Sequence, residues 1–398
     1  MTITYPKIYL KAGKEKSILR HHQWIFSGAV DGVSQQPTNG DIVEVFSHTG
    51  EYLATGHFED SSICVRLFTF TRQIIDDNFW TNKIATAIKK RMDMMLPGKT
   101  NAFRLIHGEG DMMPGLIADY YNGIIVLQAH SVGMYNLLKD FARIFSSLLH
   151  EKVTTVYDKS ASTVHHLDDN PQDGFLYGNN PFATINENGM TFDVDFIKGQ
   201  KTGFFIDQRD NRHLLSNYCK DKKVLNVFGY TGAFSVAAML GGAAHVTTID
   251  ASAEAVAMAT RHIENNLPHN AVFSHEEICA DVFDFFASNS EKYDVVVLDP
   301  PAFAKHLSAK ANAMKAYRRL NAQGMKILNK NGVLFTFSCS QVIQKHDFLT
   351  IIYNAGMDSH KNISILHQLH QSCDHTINIY HPETEYLKGY ALMVNDNE

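Results

Sequence analysis

A chain of 398 residues that is 44% hydrophobic, 11% aromatic and 20% charged has the makeup of a soluble globular protein with room for two or three domains. Its formal net charge of −6 excludes a global basic field, so a polyanion would have to be gripped by local patches. The five cysteines (64, 219, 279, 339 and 373) are odd in number, scattered and without a C-x-x-C, which argues against a zinc ribbon or a thioredoxin-like site and for a reduced, cytoplasmic chain.

The opening "MTITYPKIYLKAGKEKS" lacks the apolar core of a signal peptide. No run reaches membrane-spanning length, so no membrane partner is expected. Residues 1–72 read as short strands. "DIVEVFSHTGEYLATGHFEDSSICVRLFTF" alternates with period two and breaks at Thr49-Gly50, a hairpin signal. A small β-barrel or sandwich is expected. Its leader carries Lys7, Lys11, Lys14, Lys16 and Arg20 against Glu15 alone. That is either a solvated face or an RNA-backbone patch, with Lys11, Lys14 and Arg20 as the contacts.

At Gln73 the pattern changes to a helix. Phe79, Ile84, Ala87, Ile88 and Met95 recur at helical spacing and Pro97-Gly98 stops the run. A strand, a turn at Asn122-Gly123 and a second strand follow. Residues 73–190 thus form an α+β middle domain. From 191 to 398 strands and helices alternate, with near-continuous apolar strands ("KKVLNVF", "AHVTTID", "YDVVVLDPP", "GVLFTFSCS"). Such a pattern specifies an α/β, doubly wound parallel sheet of Rossmann-like type.

Ligands of such sheets sit beyond the carboxyl ends of the strands. The first strand runs into "NVFGYTGAFS", where Gly229 and Gly232 permit a tight turn and close ligand approach. The second ends in Asp250, placed to accept hydrogen bonds from a ribose diol. The alternative is an ordinary strand-to-helix turn with a capping aspartate. Asp281 follows a third strand, where a carboxylate would accept from an adenine amino group. Asp299 ends the apolar "VVVLD" and is followed by Pro300 and Pro301, which stiffen the turn at the cleft mouth.

Asn226 through Gly232, then Asp250-Ala251-Ser252, Asp299-Pro300-Pro301-Ala302-Phe303 and Ser338-Cys339-Ser340 together resemble the class I S-adenosylmethionine-dependent methyltransferases. Within these, the chain is similar to the bacterial large-subunit (23S) ribosomal RNA cytosine-C5 methyltransferases with an N-terminal PUA domain. "KTGFFIDQRDNR" (201–212) and "YLKGYAL" (386–392) also fit. The resemblance spans essentially the whole chain. It implies that Phe228, Gly229, Tyr230 and Gly232 cradle S-adenosylmethionine, that Asp250 with Ser252 holds its ribose and Asp281 its adenine. It further implies that Gln208, Arg212 and Asp299 close the pocket. Two positions depart from the pattern. Gln341 follows Ser338-Cys339-Ser340 where many relatives have glycine, and Arg319 stands where an acid is common.

Cytosine C5 is a poor nucleophile, and a thiolate adding to C6 overcomes that by pushing electron density onto C5. Cys339, at a strand end on the ligand side, is the expected nucleophile. Asp299, beside N3 or N4 of the base, is the expected acid. Cys219 and Cys279 are expected to be small core hydrophobes.

Seven Lys/Arg and no acid lie between Phe303 and Lys330, bordering that mouth. Lys305 and Arg318 are the expected RNA contacts, which would hold the strand while a base turns out of the stack. The 21 histidines, including His21-His22, His165-His166 and the H-x-x-H at 367–370, are expected on the surface rather than on a metal. Methylation of another RNA base position or of a different acceptor, and a non-catalytic RNA-binding role in ribosome assembly, remain as alternatives. Whether the substrate is free ribosomal RNA or an assembling particle, and whether the protein is a homodimer, are open at this level.

Overall fold

The computed structural model describes residues 4–94, 99–164, 171–268 and 274–396. Met95, Pro97, Gly98, His165 and His166 lie outside them. Two compact units emerge, one from 1–187, 193–206 and 373–384, the other from 188–192, 207–372 and 385–398.

The first unit begins with a six-stranded sheet in the order 24–26, 63–69, 52–58, 42–46, 7–10, 30–33. Alternation along these strands buries Ile8, Leu10, Ile25, Val43, Val45, Val65 and Leu67 in one core. The hairpin expected at Thr49-Gly50 forms, with Gly50 at φ +85°. Next comes the helix Asp77–Met94, which buries Phe79, Trp80, Ile84 and Ala87 against a second sheet ordered 174–177, 155–158, 124–129, 116–121, 102–107. Asn122 (φ +46°) and Gly123 (φ +100°) both adopt the left-handed conformation. That is the mirror-image turn whose twist matches an antiparallel pair.

Residues 373–384 return to this unit instead of continuing the C-terminal domain expected from 191. Asp374 explains why. Its carboxylate accepts from Arg104 N at 2.9 Å and its carbonyl from Arg91 Nη2 at 2.7 Å. Arg91 is itself fully buried and paired through both terminal nitrogens with Asp111 at 2.6 Å. Removing either charge would leave the other buried and unpaired.

The second unit is a seven-stranded sheet of β1 (Lys223–Val227), β2 (His245–Asp250), β3 (His275–Cys279), β4 (Tyr293–Leu298), β5 (Leu328–Ser338), β6 (Lys361–Leu369) and β7 (Lys388–Asp396). Their spatial order is β3-β2-β1-β4-β5-β7-β6. The first five are parallel, and β7 runs antiparallel between β5 and β6. Helices α1 (Arg209–Ser216), α2 (Ala233–Leu240), α3 (Ala253–Asn266), α4 (Val282–Ser288), α5 (Lys310–Lys326) and α6 (Lys345–Ser359) accompany it. Strand order reverses between β1 and β4, opening a crevice where the loops after these strands diverge.

Candidate active site

The turn after β1 departs from the expected division of labour. Phe228 (φ +59°) and Tyr230 (φ +45°), not Gly229, carry the left-handed conformation, a strained state for non-glycine residues that costs about 1–3 kcal/mol each. Gly229 is needed for room, because a Cβ there would stand 2.5 Å from Thr248 Cγ2. At Gly232 both reasons apply: its φ is +77° and a Cβ would meet that of Ala259 at 2.6 Å.

Asp250, half-buried at the end of β2, accepts from Tyr230 N through Oδ2 and from Ser252 N through Oδ1, both at 2.9 Å. The first bond ties the turn to the neighbouring strand end. Ser252 caps α3 by accepting from Ala255 N, and Asp281 caps α4, accepting from Phe283 N at 2.8 Å. Arg212 is fully buried on α1, with its guanidinium 5.9 Å from the centroid of Phe234.

Asp299 leaves β4 at the crevice. Gln208, buried at the start of α1, donates through Nε2 to Asp299 Oδ2 at 3.0 Å, while Asn211 Nδ2 donates to Gln208 Oε1 at 2.6 Å. Cys339 follows directly after β5, whose register with β4 pairs Leu298 with Thr336. Its partly buried sulfur lies 4.0 Å from the carbonyl oxygen of Pro300. The structure therefore brings Cys339, Asp299 and Gln208 to one pair of adjacent strand ends. The thiol sits over the Asp-Pro-Pro turn, not in packed hydrocarbon.

Two nearby residues had no role in the sequence reading. Tyr317, on the buried face of α5, lies beside Ser338, Cys339 and Asp299, and burial pushes its phenol up. Lys388, at the start of β7, donates to the carbonyl of Ser340 at 2.8 Å. The visible signal was a lysine opening an apolar strand.

The other cysteines divide differently from expectation. Cys219 is fully buried, its thiol pushed up to about 12, and Cys64 is buried in the core of the first sheet at about 11, both by desolvation. Cys279 is exposed instead of being a core hydrophobe. It too ends a strand on the ligand side, since β3 is the sheet edge and leaves it uncovered. Three strand spacings separate β3 from β4, roughly 14 Å, which keeps Cys279 away from Asp299.

Among the expected RNA contacts, Lys305, Lys14 and Arg20 are exposed. Lys11 is exposed too, though its Nζ donates to Gly28 O at 3.0 Å. Arg318 is engaged within the unit: Nε and Nη2 both contact Asp358 at 2.6 Å. Arg319 stacks 4.5 Å over Phe283. In the first unit, His22 and His381 converge on Glu383 at 3.4 and 3.6 Å. Gln23 N donates to His381 Nδ1 at 3.4 Å.

Residues 8–70 match the family model of PUA-like domains and residues 103–361 that of S-adenosylmethionine-dependent methyltransferases. The sequence is 35% identical to the ribosomal RNA large subunit methyltransferase I of Pseudoalteromonas translucida, over 97% of this chain and 99% of the relative. It is 36% identical to that of Photobacterium profundum, with the same coverage. With the Escherichia coli protein of that name it shares 35%, over 98% and 99%. Among solved structures, a Streptococcus mutans protein provisionally assigned as a SAM-dependent methyltransferase overlaps with a TM-score of 0.84 at 24% identity, covering 97% and 99% of the two chains. A second solved methyltransferase with the same overlap is complexed with SAH. At that identity the likeness is one of fold.

Proposed function

The chain belongs to the ribosomal RNA large subunit methyltransferase I family, S-adenosylmethionine-dependent methyltransferases with a PUA-like domain, and on that premise we propose that it methylates C5 of a cytosine in large-subunit ribosomal RNA through a covalent bond from Cys339 to C6. The observation that carries this reading is the placement of the Cys339 sulfur 4.0 Å from Pro300 O, next to the carboxylate of Asp299. A nucleophile and a proton-bearing or proton-accepting group on adjacent strand ends can face one planar base.

The turn after β1 fits S-adenosylmethionine by its donor and acceptor set. Asp250, half-exposed at the carboxyl edge and fixed by two backbone N–H groups, offers oxygens to a ribose diol. Gly229, Tyr230 and Gly232 would line the methionine side, with Phe228 beside them. Ser252 and Asp281 would stand toward the nucleoside, and Gln208 and Arg212 would border the pocket from α1. The bound cofactor supplies a methyl carbon made electrophilic by its sulfonium.

The protein's residues do the rest. The thiolate of Cys339 adds to C6, forming a sulfur–carbon bond and enriching C5, which takes the methyl group. Asp299, held by Gln208 through one oxygen, would carry a proton on the other and give it to N3 or N4, neutralising the negative charge that builds on the ring as sulfur adds. When a base removes the C5 proton, that electron pair restores the ring double bond and expels the sulfur. A target base must leave its stack to reach this site. Exposed Lys305 beside it, with Lys11, Lys14 and Arg20 on the PUA-like domain, would hold phosphates. Arg318 would have to leave Asp358 to join them.

Mass spectrometric mapping of 23S ribosomal RNA from a strain lacking the gene should show one missing 5-methylcytidine, restored by the wild-type gene and not by Cys339→Ala. Restoration by Cys339→Ala, or loss of a methyl group at another base position, would refute the covalent C5 reading.

A further inference from the structure

Lys388 is buried, with 6% of its surface exposed. Strand pairing sets it directly beside Ser338, and its ammonium reaches across to the carbonyl of Ser340 at 2.8 Å. Cys339 lies between those two serines. Lys388 therefore wraps the backbone of the residue read as nucleophile.

A buried ammonium needs a counter-anion. The charged and titratable groups facing it are few. Cys339 approaches from the end of β5, Glu385 from the segment leading into β7, and Asp347 from α6. Glu385 is exposed to water. Asp347 is already paired with Lys310 at 2.6 Å and closes the capping box of α6 with Gln344. Two titratable groups neighbour the sulfur: Tyr317, driven toward its neutral form by burial, and Asp299, held by Gln208 Nε2 at 3.0 Å. Among the described residues, no carboxylate forms an ion pair with Lys388. The group left to balance its charge is the thiol itself.

We propose that Lys388 is the positioning residue that activates Cys339: its ammonium, anchored on Ser340 O and shielded from water, is the built-in counterion of the Cys339 thiolate. This rests on the reading of Cys339 as nucleophile. Burial holds the Lys388 ammonium down to about 8, and Cys339 is the leading group opposing that fall. By reciprocity, the same attraction that keeps Lys388 charged favours ionised sulfur. The pair gives the enzyme a nucleophile ready before substrate arrives, at a pH where an ordinary thiol is only a few per cent ionised.

The test is the pH dependence of Cys339 alkylation by iodoacetamide in the full-length, cofactor-free protein, read by mass spectrometry of the Cys339 peptide. The wild-type half-point should fall below the value of about 8.5 of an ordinary thiol. Lys388→Met should raise it by about one unit, slowing alkylation at neutral pH about tenfold, and Lys388→Arg should keep it low. S-adenosylhomocysteine binding checks that each variant is folded. A wild-type half-point at or above about 8.5 overturns the proposal, whether or not Lys388→Met folds. So does a Lys388→Met profile that coincides with wild type. Methyl transfer surviving in Cys339→Ala would instead sink the reading of Cys339 as nucleophile while leaving the thiol titration interpretable.

Discussion

Gln208 Nε2 and Asp299 Oδ2 stand 3.0 Å apart, a bond that fixes the carboxylate at the mouth of β4 from the residue preceding α1. Asn211 holds the other end of the same amide at 2.6 Å. The orientation of Asp299 is therefore set by a relay of buried amides as well as by the two prolines that follow it.

Gln208→Ala should lower kcat about 10- to 100-fold, the worth of one hydrogen bond to a charged group. Methyl transfer to a 23S fragment measures it. S-adenosylhomocysteine affinity, by calorimetry, reports separately whether the pocket border at Gln208 has also weakened. A variant with wild-type kcat would show that Asp299 needs no such support.

Asp250→Ala should weaken cofactor binding about 10- to 100-fold, since it removes the diol acceptor and frees the turn after β1 from β2. Asp250→Asn keeps one acceptor and should lose less. Equal losses in the two variants would mean that charge, and not hydrogen bonding to the turn, is what counts.

Gly232→Ala combines a left-handed φ with a Cβ driven into Ala259. It should destabilise the second unit by about 1–3 kcal/mol and depress cofactor affinity. Thermal unfolding followed with and without S-adenosylhomocysteine separates the two effects. Gly50→Ala, with a similar φ and open space around it, should bear the φ strain alone and cost less.

His57 is buried against Phe68 and Trp80, and desolvation with the nearby Arg66 pulls its imidazole down to about 3. The folded protein thus binds this proton less readily than the unfolded chain, whose histidine titrates near 6.5. Stability from this site is complete above pH 6.5 and is lost progressively as pH falls toward 3. Both tryptophans, Trp24 and Trp80, lie in the first unit, so their fluorescence follows its unfolding. His57→Leu should flatten the acid side of that curve below about pH 6.5; an unchanged slope would assign acid lability elsewhere.

Lys305→Glu should reduce affinity for the ribosomal RNA substrate and lower the salt dependence of binding by about one unit of slope per lost phosphate contact. Lys14→Glu with Arg20→Glu tests the PUA-like patch in the same way. Unchanged slopes would mark these cations as solvated surface.

Much of this molecule was legible in the chain because its signals are local. Continuous apolar strands at β1 and β4, glycine stops, and the hairpins at Thr49-Gly50 and Asn122-Gly123 are decided by backbone conformation and by which faces must leave water. The acids ending β2 and β4, and the cysteine ending β5, could be placed at the sheet edge for the same reason. Three features depend on contacts between residues far apart in sequence, and only tertiary structure decided them. Asp374, beside Arg91 and Arg104, takes residues 373–384 out of the C-terminal domain. The position of β3 at the sheet edge exposes Cys279, where an inner strand would have buried it. The antiparallel insertion of β7 beside β5 brings Lys388 alongside the Cys339 segment, because pairing register, not sequence distance, determines which side chains meet.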